Sequence, residues 1–185
     1  MTSAIDILVV CTGNACRSPM GAVLLQHRLD EHGLEARVRS AGTMPWSSGV
    51  TDDARAVMEE YGLVVDGHGK QELTTELVDA TDLVLGMTRN HVAYTVRRFP
   101  DVRDRTFMVG ELVRLGRDVG PRRAGEAVRD WAERVSAARA SDGAHGRSTD
   151  EVDDPAGEPI DVYRRTATLL DRSSTAIVEL LTPRT

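Results

Sequence analysis

The chain has 185 residues, with 41% hydrophobic and 28% charged residues and a formal net charge of −6. That length supports a sizeable core, and the charge argues against general nucleic-acid binding, which needs a positive surface to displace counterions. No apolar stretch approaches the length of a membrane span, and the start "MTSAIDILVV" lacks the basic region and cleavage site of a signal peptide, so the expected compartment is the cytoplasm.

"IDILVV" (Ile5 to Val10) is a nearly continuous apolar run, as expected of a parallel strand buried on both faces. A loop of small polar residues follows, and Ser18-Pro19 predicts a helix start, with serine as cap and proline at the first helical position. Met20, Val23, Leu24 and Leu25 give that helix an apolar face, and Gly33 can end it. The alternation continues. "ARVRS" (Ala36 to Ser40) reads as a second strand, Thr51 caps a helix stopped by Gly62, and "DLVLGM" (Asp82 to Met87) is a third strand. Thr88 caps a helix to about Phe99, "RTFMV" (Arg105 to Val109) is a fourth strand, and a long last helix begins near Ile160. Ile160, Tyr163, Ala167, Leu170, Ile177 and Leu181 should face inward along it.

Strands alternating with helices predict an α/β fold, a three-layer α/β/α sandwich on a four-stranded parallel sheet. The chain reads as one domain over 1–185 with an insertion at about 116–150. "AGEAVRDWAERVSAARA" (Ala124 to Ala140) there predicts an amphipathic helix with Ala124, Val128, Trp131, Val135 and Ala138 on one face. That face should pack near Asp154, or else be covered by a protein partner.

The chemistry concentrates in "VVCTGNACRSPM" (Val9 to Met20). Strand, small-residue loop and helix N-terminus make an anion site, since loop amides point inward and the helix dipole adds positive charge. Gly13 allows close backbone approach, and Asn14 tolerates a left-handed conformation. Arg17 completes a Cys-x5-Arg spacing and can grip two phosphate oxygens. The same field favours the thiolate of Cys11, a nucleophile for phosphorus, and Ser18 can donate its hydroxyl to it. Two cysteines make neither a disulfide scaffold nor a zinc pattern, so no metal or cofactor is expected. Transfer to Cys11 needs a proton for the leaving group. "DDPAG" offers Asp153 and Asp154; Asp154 is preferred because it directly precedes Pro155, which stiffens its backbone.

"VCTGNACRSPM" closely resembles the phosphate-binding loop of low-molecular-weight protein tyrosine phosphatases, a superfamily that includes protein arginine phosphatases and thioredoxin-coupled arsenate reductases. The resemblance continues through "VRSAGTMPW" (Val38 to Trp46), "HGKQELT" (His68 to Thr74), Ala80 with Asp82 to His91, and "DDPAGEPIDVYRRT" (Asp153 to Thr166). It implies Cys11 as nucleophile, Arg17 as phosphate ligand and Asp154 as general acid. It implies Thr12, Gly13, Asn14, Ala15 and Cys16 around the substrate, with Trp46 as one wall of the cleft. Asn14, Ser18, Ser40 and His68 would hold the loop in shape. The implied substrate is a phosphorylated protein or a small aryl phosphate, with no nucleic-acid or membrane partner.

Two features depart from the tyrosine-directed pattern. Ala156 and Gly157 stand where an aromatic residue usually follows Asp-Pro, and Ala15 stands where tyrosine-directed members have a bulky aliphatic and arginine phosphatases have threonine. "DPAGEPIDVY" is more similar to the arginine-phosphatase branch. A thioredoxin-coupled arsenate reductase needs two further cysteines downstream, and none follows Cys16, which leaves a reductase served by a small external thiol as the rival reading. A phosphate-binding module would need neither nucleophile nor acid.

Overall fold

The computed structural model describes residues 4–139 and 146–183. Four parallel strands, β1 (Ile5–Cys11), β2 (Ala36–Gly42), β3 (Leu83–Gly86) and β4 (Thr106–Met108), form one sheet in the order β2-β1-β3-β4. Strand β1 is central, pairing Cys11 with Gly42 on one side and Val10 with Gly86 on the other. Its continuous apolar run follows from burial on both faces: Ile7 and Val9 enter one core cluster, Leu8 and Val10 the other.

Among the described residues seven helices cover the sheet: α1 (Arg17–Glu31), α2 (Asp52–Glu60), α3 (Thr75–Asp79), α4 (Arg89–Arg98), α5 (Val109–Val119), α6 (Val128–Ser136) and α7 (Ile160–Leu181). The larger core lies against α1, α2, α5, α6 and α7, and the smaller one holds Val78 of α3 and Tyr94 of α4. The three-layer α/β/α sandwich on a four-stranded parallel sheet is therefore as expected. Among the described residues no helix is long and apolar enough to cross a membrane.

Several local signals act as the sequence indicates. The Thr51 hydroxyl accepts from the Ala54 N–H at 3.3 Å at the start of α2, and Gly33 and Gly62 turn the chain at φ 66° and 72°. Tyr163, Ala167, Leu170, Ile177 and Leu181 are buried along α7, while Ile160 at its start is only partly buried.

Other expectations are corrected. Helix α1 starts at Arg17 with Cys16 as its N-cap and no capping side chain, so Ser18 is not the cap. Strand β2 runs on to Gly42, while β3 and β4 are shorter than expected. The residues after β4 form α5, which was not anticipated. Helix α6 covers only Val128–Ser136; Ala124 and Ala138 are exposed, and Ala140 lies outside the described residues. The apolar face of α6 is covered by the chain itself, against α5, β3 and a 3-10 turn at Pro100–Arg105, rather than beside Asp154. Trp131 is fully buried and donates its indole N–H to the Gly120 carbonyl at 3.1 Å.

Candidate active site

Residues 12–16 leave the carboxyl end of β1 and turn into α1, where the neighbouring strands diverge to opposite sides of the sheet. This is the crevice position for ligands in open parallel sheets. A cleft of about 100 Å³ opens there, lined by Cys11, Thr12, Gly13, Ala15, Cys16, Arg17, Trp46, Asp154 and Ala156. Sequence segments more than a hundred residues apart thus converge on one small space.

The loop is held by a chain of hydrogen bonds. Asn14, at φ 49°, is fully buried. Its amide Nδ2 donates to Ser18 Oγ at 3.0 Å and to Ser40 Oγ at 2.9 Å, and its Oδ1 accepts from the Gln71 N–H at 3.1 Å. Ser40 Oγ lies 2.9 Å from His68 Nδ1, and burial lowers the pKa of His68 below the ordinary histidine value. Ser18 Oγ stands 3.0 Å from Cys11 Sγ. With Asn14 donating to it, Ser18 keeps its own proton to donate, to the sulfur or to the Ala41 carbonyl at 3.4 Å.

Gly13 is explained by packing. A β-carbon there would meet the Trp46 ring at 2.8 Å, and Trp46 is further tied to the loop by its N–H on the Gly13 carbonyl at 2.8 Å. Trp46 is 42% exposed, so the ring covers the loop on one side and forms a wall of the cleft on the other.

Arg17 is nearly buried and makes two contacts with one segment: Nη1 donates to the Val152 carbonyl at 3.2 Å and Nη2 to Asp154 Oδ2 at 2.5 Å. Val152 in turn donates its N–H to the Met87 carbonyl at 2.8 Å. The segment that carries Asp154 is therefore strapped to the end of β3 before it reaches the cleft. Asp154 is 49% exposed at the mouth, and its Oδ1 accepts from the Ala156 N–H at 3.2 Å. Asp153 is exposed and does not line the cleft.

Cys16 faces Thr51 Oγ1 at 3.5 Å and the Tyr163 hydroxyl at 3.7 Å. Burial raises its pKa, only partly offset by those two hydroxyls. Both cysteines are free thiols. Among the described residues no group of three or more His, Cys, Asp or Glu side chains could hold a metal ion.

Sequence reasoning missed His91, whose Nε2 lies 2.9 Å from Thr12 Oγ1. Burial, then the charge of Arg17, depresses its pKa to about 4. Its signal was available: a titratable ring in the first turn of a helix that begins at the carboxyl end of a strand. The Val152 carbonyl on Arg17 was also missed, and no side-chain pattern marks a backbone acceptor.

Residues 6–119 match the low molecular weight phosphotyrosine protein phosphatase family. A protein-arginine-phosphatase of Bacillus subtilis is 33% identical over 162 residues, spanning 87% of this chain and 86% of that one. The low molecular weight protein-tyrosine-phosphatase Etp of Escherichia coli K12 is 34% identical over 144 residues, 71% of this chain and 95% of that one. In structure, the YwlE arginine phosphatase, as a mutant with a phosphorylated active-site serine, superposes with a TM-score of 0.72 at 30% identity, covering 95% of this chain and 94% of that one. The chain belongs to the low molecular weight phosphotyrosine protein phosphatase family.

Proposed function

We propose that the chain is a cysteine-dependent protein phosphatase of the tyrosine phosphatase type, working through a phosphocysteine at Cys11 in the cytoplasm. The observation that carries this reading is the single cleft in which Cys11, Arg17 and Asp154 meet. The loop amides and the Arg17 fork hold the phosphoryl oxygens. A phosphoryl group that takes the fork displaces Asp154 from Nη2, and the freed acid serves the leaving oxygen. The Cys11 thiolate, stabilised by Ser18, attacks phosphorus; the S–P bond forms as the bond to the leaving oxygen breaks, and Asp154 gives its proton to that oxygen. Asp154 then takes a proton from water, water attacks phosphorus, and inorganic phosphate leaves with Cys11 restored as thiolate. The related YwlE mutant with a phosphorylated active-site serine supports covalent transfer to a loop side chain. A reducing cytoplasm suits a mechanism that depends on a free thiol.

A second reading, protein arginine phosphatase, is favoured by two observations. The Bacillus subtilis arginine-phosphatase match spans more of this chain than the Escherichia coli tyrosine-phosphatase match, and Ala156 puts no aromatic ring beside the cleft.

The test is hydrolysis of 4-nitrophenyl phosphate by the pure protein without metal or added thiol cofactor. Wild type should turn over, and Cys11→Ser should lose at least roughly a thousandfold in kcat while still binding phosphate. Near-normal turnover by the serine variant overturns the mechanism.

A further inference from the structure

His91 sits in the first turn of α4, and nothing in the reaction above uses it. Its two ring nitrogens have different partners. Nδ1 lies 3.1 Å from the backbone N of Thr88, a group that can only donate, and 2.9 Å from Thr88 Oγ1. Nδ1 must therefore carry a lone pair. Burial and the nearby Arg17 keep the ring neutral at ordinary pH, so its one proton is on Nε2. Nε2 is 2.9 Å from Thr12 Oγ1, so the imidazole donates to the threonine. Among the described residues Thr12 Oγ1 has no other hydrogen-bond partner, and Thr12 lines the cleft one residue after the nucleophile.

We propose that His91 is a positioning residue: it fixes the Thr12 hydroxyl at the cleft wall by donating to one of its lone pairs, and so makes Thr12 a substrate-contacting residue whose proton is aimed at the phosphoryl group held over Cys11. This rests on the reading of the cleft as a phosphomonoester site. An isolated threonine hydroxyl can rotate among several directions. One whose oxygen is already held by a buried donor has fewer directions open to it, and its proton is left for the cleft. The helix start and the phosphate loop are thereby coupled through a single ring, since the nitrogen that caps α4 dictates which nitrogen faces Thr12.

Three variants and one spectrum test this. Thr12→Val removes the hydroxyl at nearly constant shape. His91→Asn keeps an acceptor where the ring has Nδ1, and so can still serve the Thr88 N–H, but ends short of Thr12. Each should lower kcat/KM for 4-nitrophenyl phosphate by about tenfold, the worth of one well-placed hydrogen bond. The double variant should be no worse than the worse single one, because both remove the same contact. Additive losses, or a Thr12→Val enzyme equal to wild type, overturn the proposal. So does a His91→Asn enzyme that loses thermal stability and activity together while Thr12→Val is unaffected, since that marks a purely structural ring. Independently of activity, the ¹⁵N resonances of the wild-type imidazole should show Nε2 protonated and Nδ1 bare at neutral pH; the opposite tautomer overturns it as well. If the wild type hydrolyses nothing, the functional reading fails while the tautomer can still be read.

Discussion

Ser18 illustrates how a side chain is claimed by one role when two are available. Its place before proline reads as a helix cap, but α1 starts one residue earlier, and the hydroxyl is spent between Asn14 and Cys11. The residue-scale chemistry was legible where spacing alone fixes it, in the run from Cys11 to Ser18, because a short loop leaves few places for those groups to go. Asp154 was a choice between adjacent carboxylates, and their surroundings differ: Asp154 bonds Arg17 and lines the cleft, while Asp153 is exposed and does not line it. Asp154→Ala should lower kcat for poor leaving groups by roughly 10²–10⁴-fold, with activated leaving groups hurt less, because they depart without a proton. The comparison is kcat for phenyl phosphate against 4-nitrophenyl phosphate; the same pattern in Asp153→Ala instead moves the acid by one residue. Cys16 carries a different expectation. Burial holds its thiol in the protonated form, so peroxide should meet Cys11 first and form a sulfenic acid. Attack by Cys16 sulfur on that group expels water and leaves a disulfide that a thiol reductant can reopen. Wild type should recover after dithiothreitol and Cys16→Ser should recover less; equal recovery, with no Cys11–Cys16 bond by mass spectrometry, reduces Cys16 to packing.

At the scale of elements, the acid-bearing segment is the part whose placement the sequence hides. A charge run such as "DEVDD" reads as solvated, yet its first residue, Asp150, is buried and bonded to Arg114 at 2.7 Å and to the Arg147 N–H at 2.8 Å. The backbone of Asp150 lies so close to Gly110 that a β-carbon there would meet it at 2.7 Å. Helix α5 is thus a seat for the segment, and it was missed because Gly110 and Gly116 interrupt its pattern. Burial works against the Asp150 charge, but Arg114 and the Arg147 N–H outweigh it, and the pKa lies below the ordinary carboxylate value. Since the folded value is the lower one, the stabilisation is fully present above the unfolded pKa of about 4 and is lost as pH falls through the folded value. Asp150→Ala should cost about 2–4 kcal/mol at pH 7 and less in acid, read by urea unfolding at both pH values. It should also reduce kcat more for poor leaving groups than for good ones, because the strap that presents Asp154 loosens. Helix α6 gives the complementary case. Its periodicity announced the helix and the burial of Trp131, but periodicity cannot say which surface the face meets or where the ends fray. Trp131→Ala should cost about 3–5 kcal/mol, the usual loss for a fully buried ring, with kcat on small aryl phosphates little changed; a stability close to wild type would mean that the face is not part of the core.

The whole molecule decides what kind of phosphate ester enters, because the cleft walls come from three distant stretches: Ala15 from the β1–α1 loop, Trp46 from the β2–α2 connection, and Ala156 from the segment ahead of α7. The sheet and its crevice were legible as a class of fold, since the alternation of buried runs with capped helices admits few arrangements. The walls were less so, because their meeting is a tertiary fact. Two of the three are alanines. A bulky aliphatic at position 15 would pack on a flat phenyl ring, and threonine would offer a hydroxyl to a guanidinium; alanine does neither. Trp46 is the one broad flat surface, and a ring face can stack on phenyl or guanidinium alike. Wild type should therefore discriminate weakly between phosphotyrosine and phosphoarginine peptides, with phosphotyrosine ahead by a small margin. Ala15 is buried within the loop, so atoms added to it either enter the cleft or press on its wall. Ala15→Thr should shift the ratio of kcat/KM toward phosphoarginine and Ala15→Ile toward phosphotyrosine, each by roughly tenfold, the scale at which a single contact in a pocket discriminates. The measurement is kcat/KM on matched peptides for the three proteins. A ratio that moves with neither substitution would take substrate reading away from position 15 and leave it to the face of Trp46 and the shape of the segment that carries Asp154.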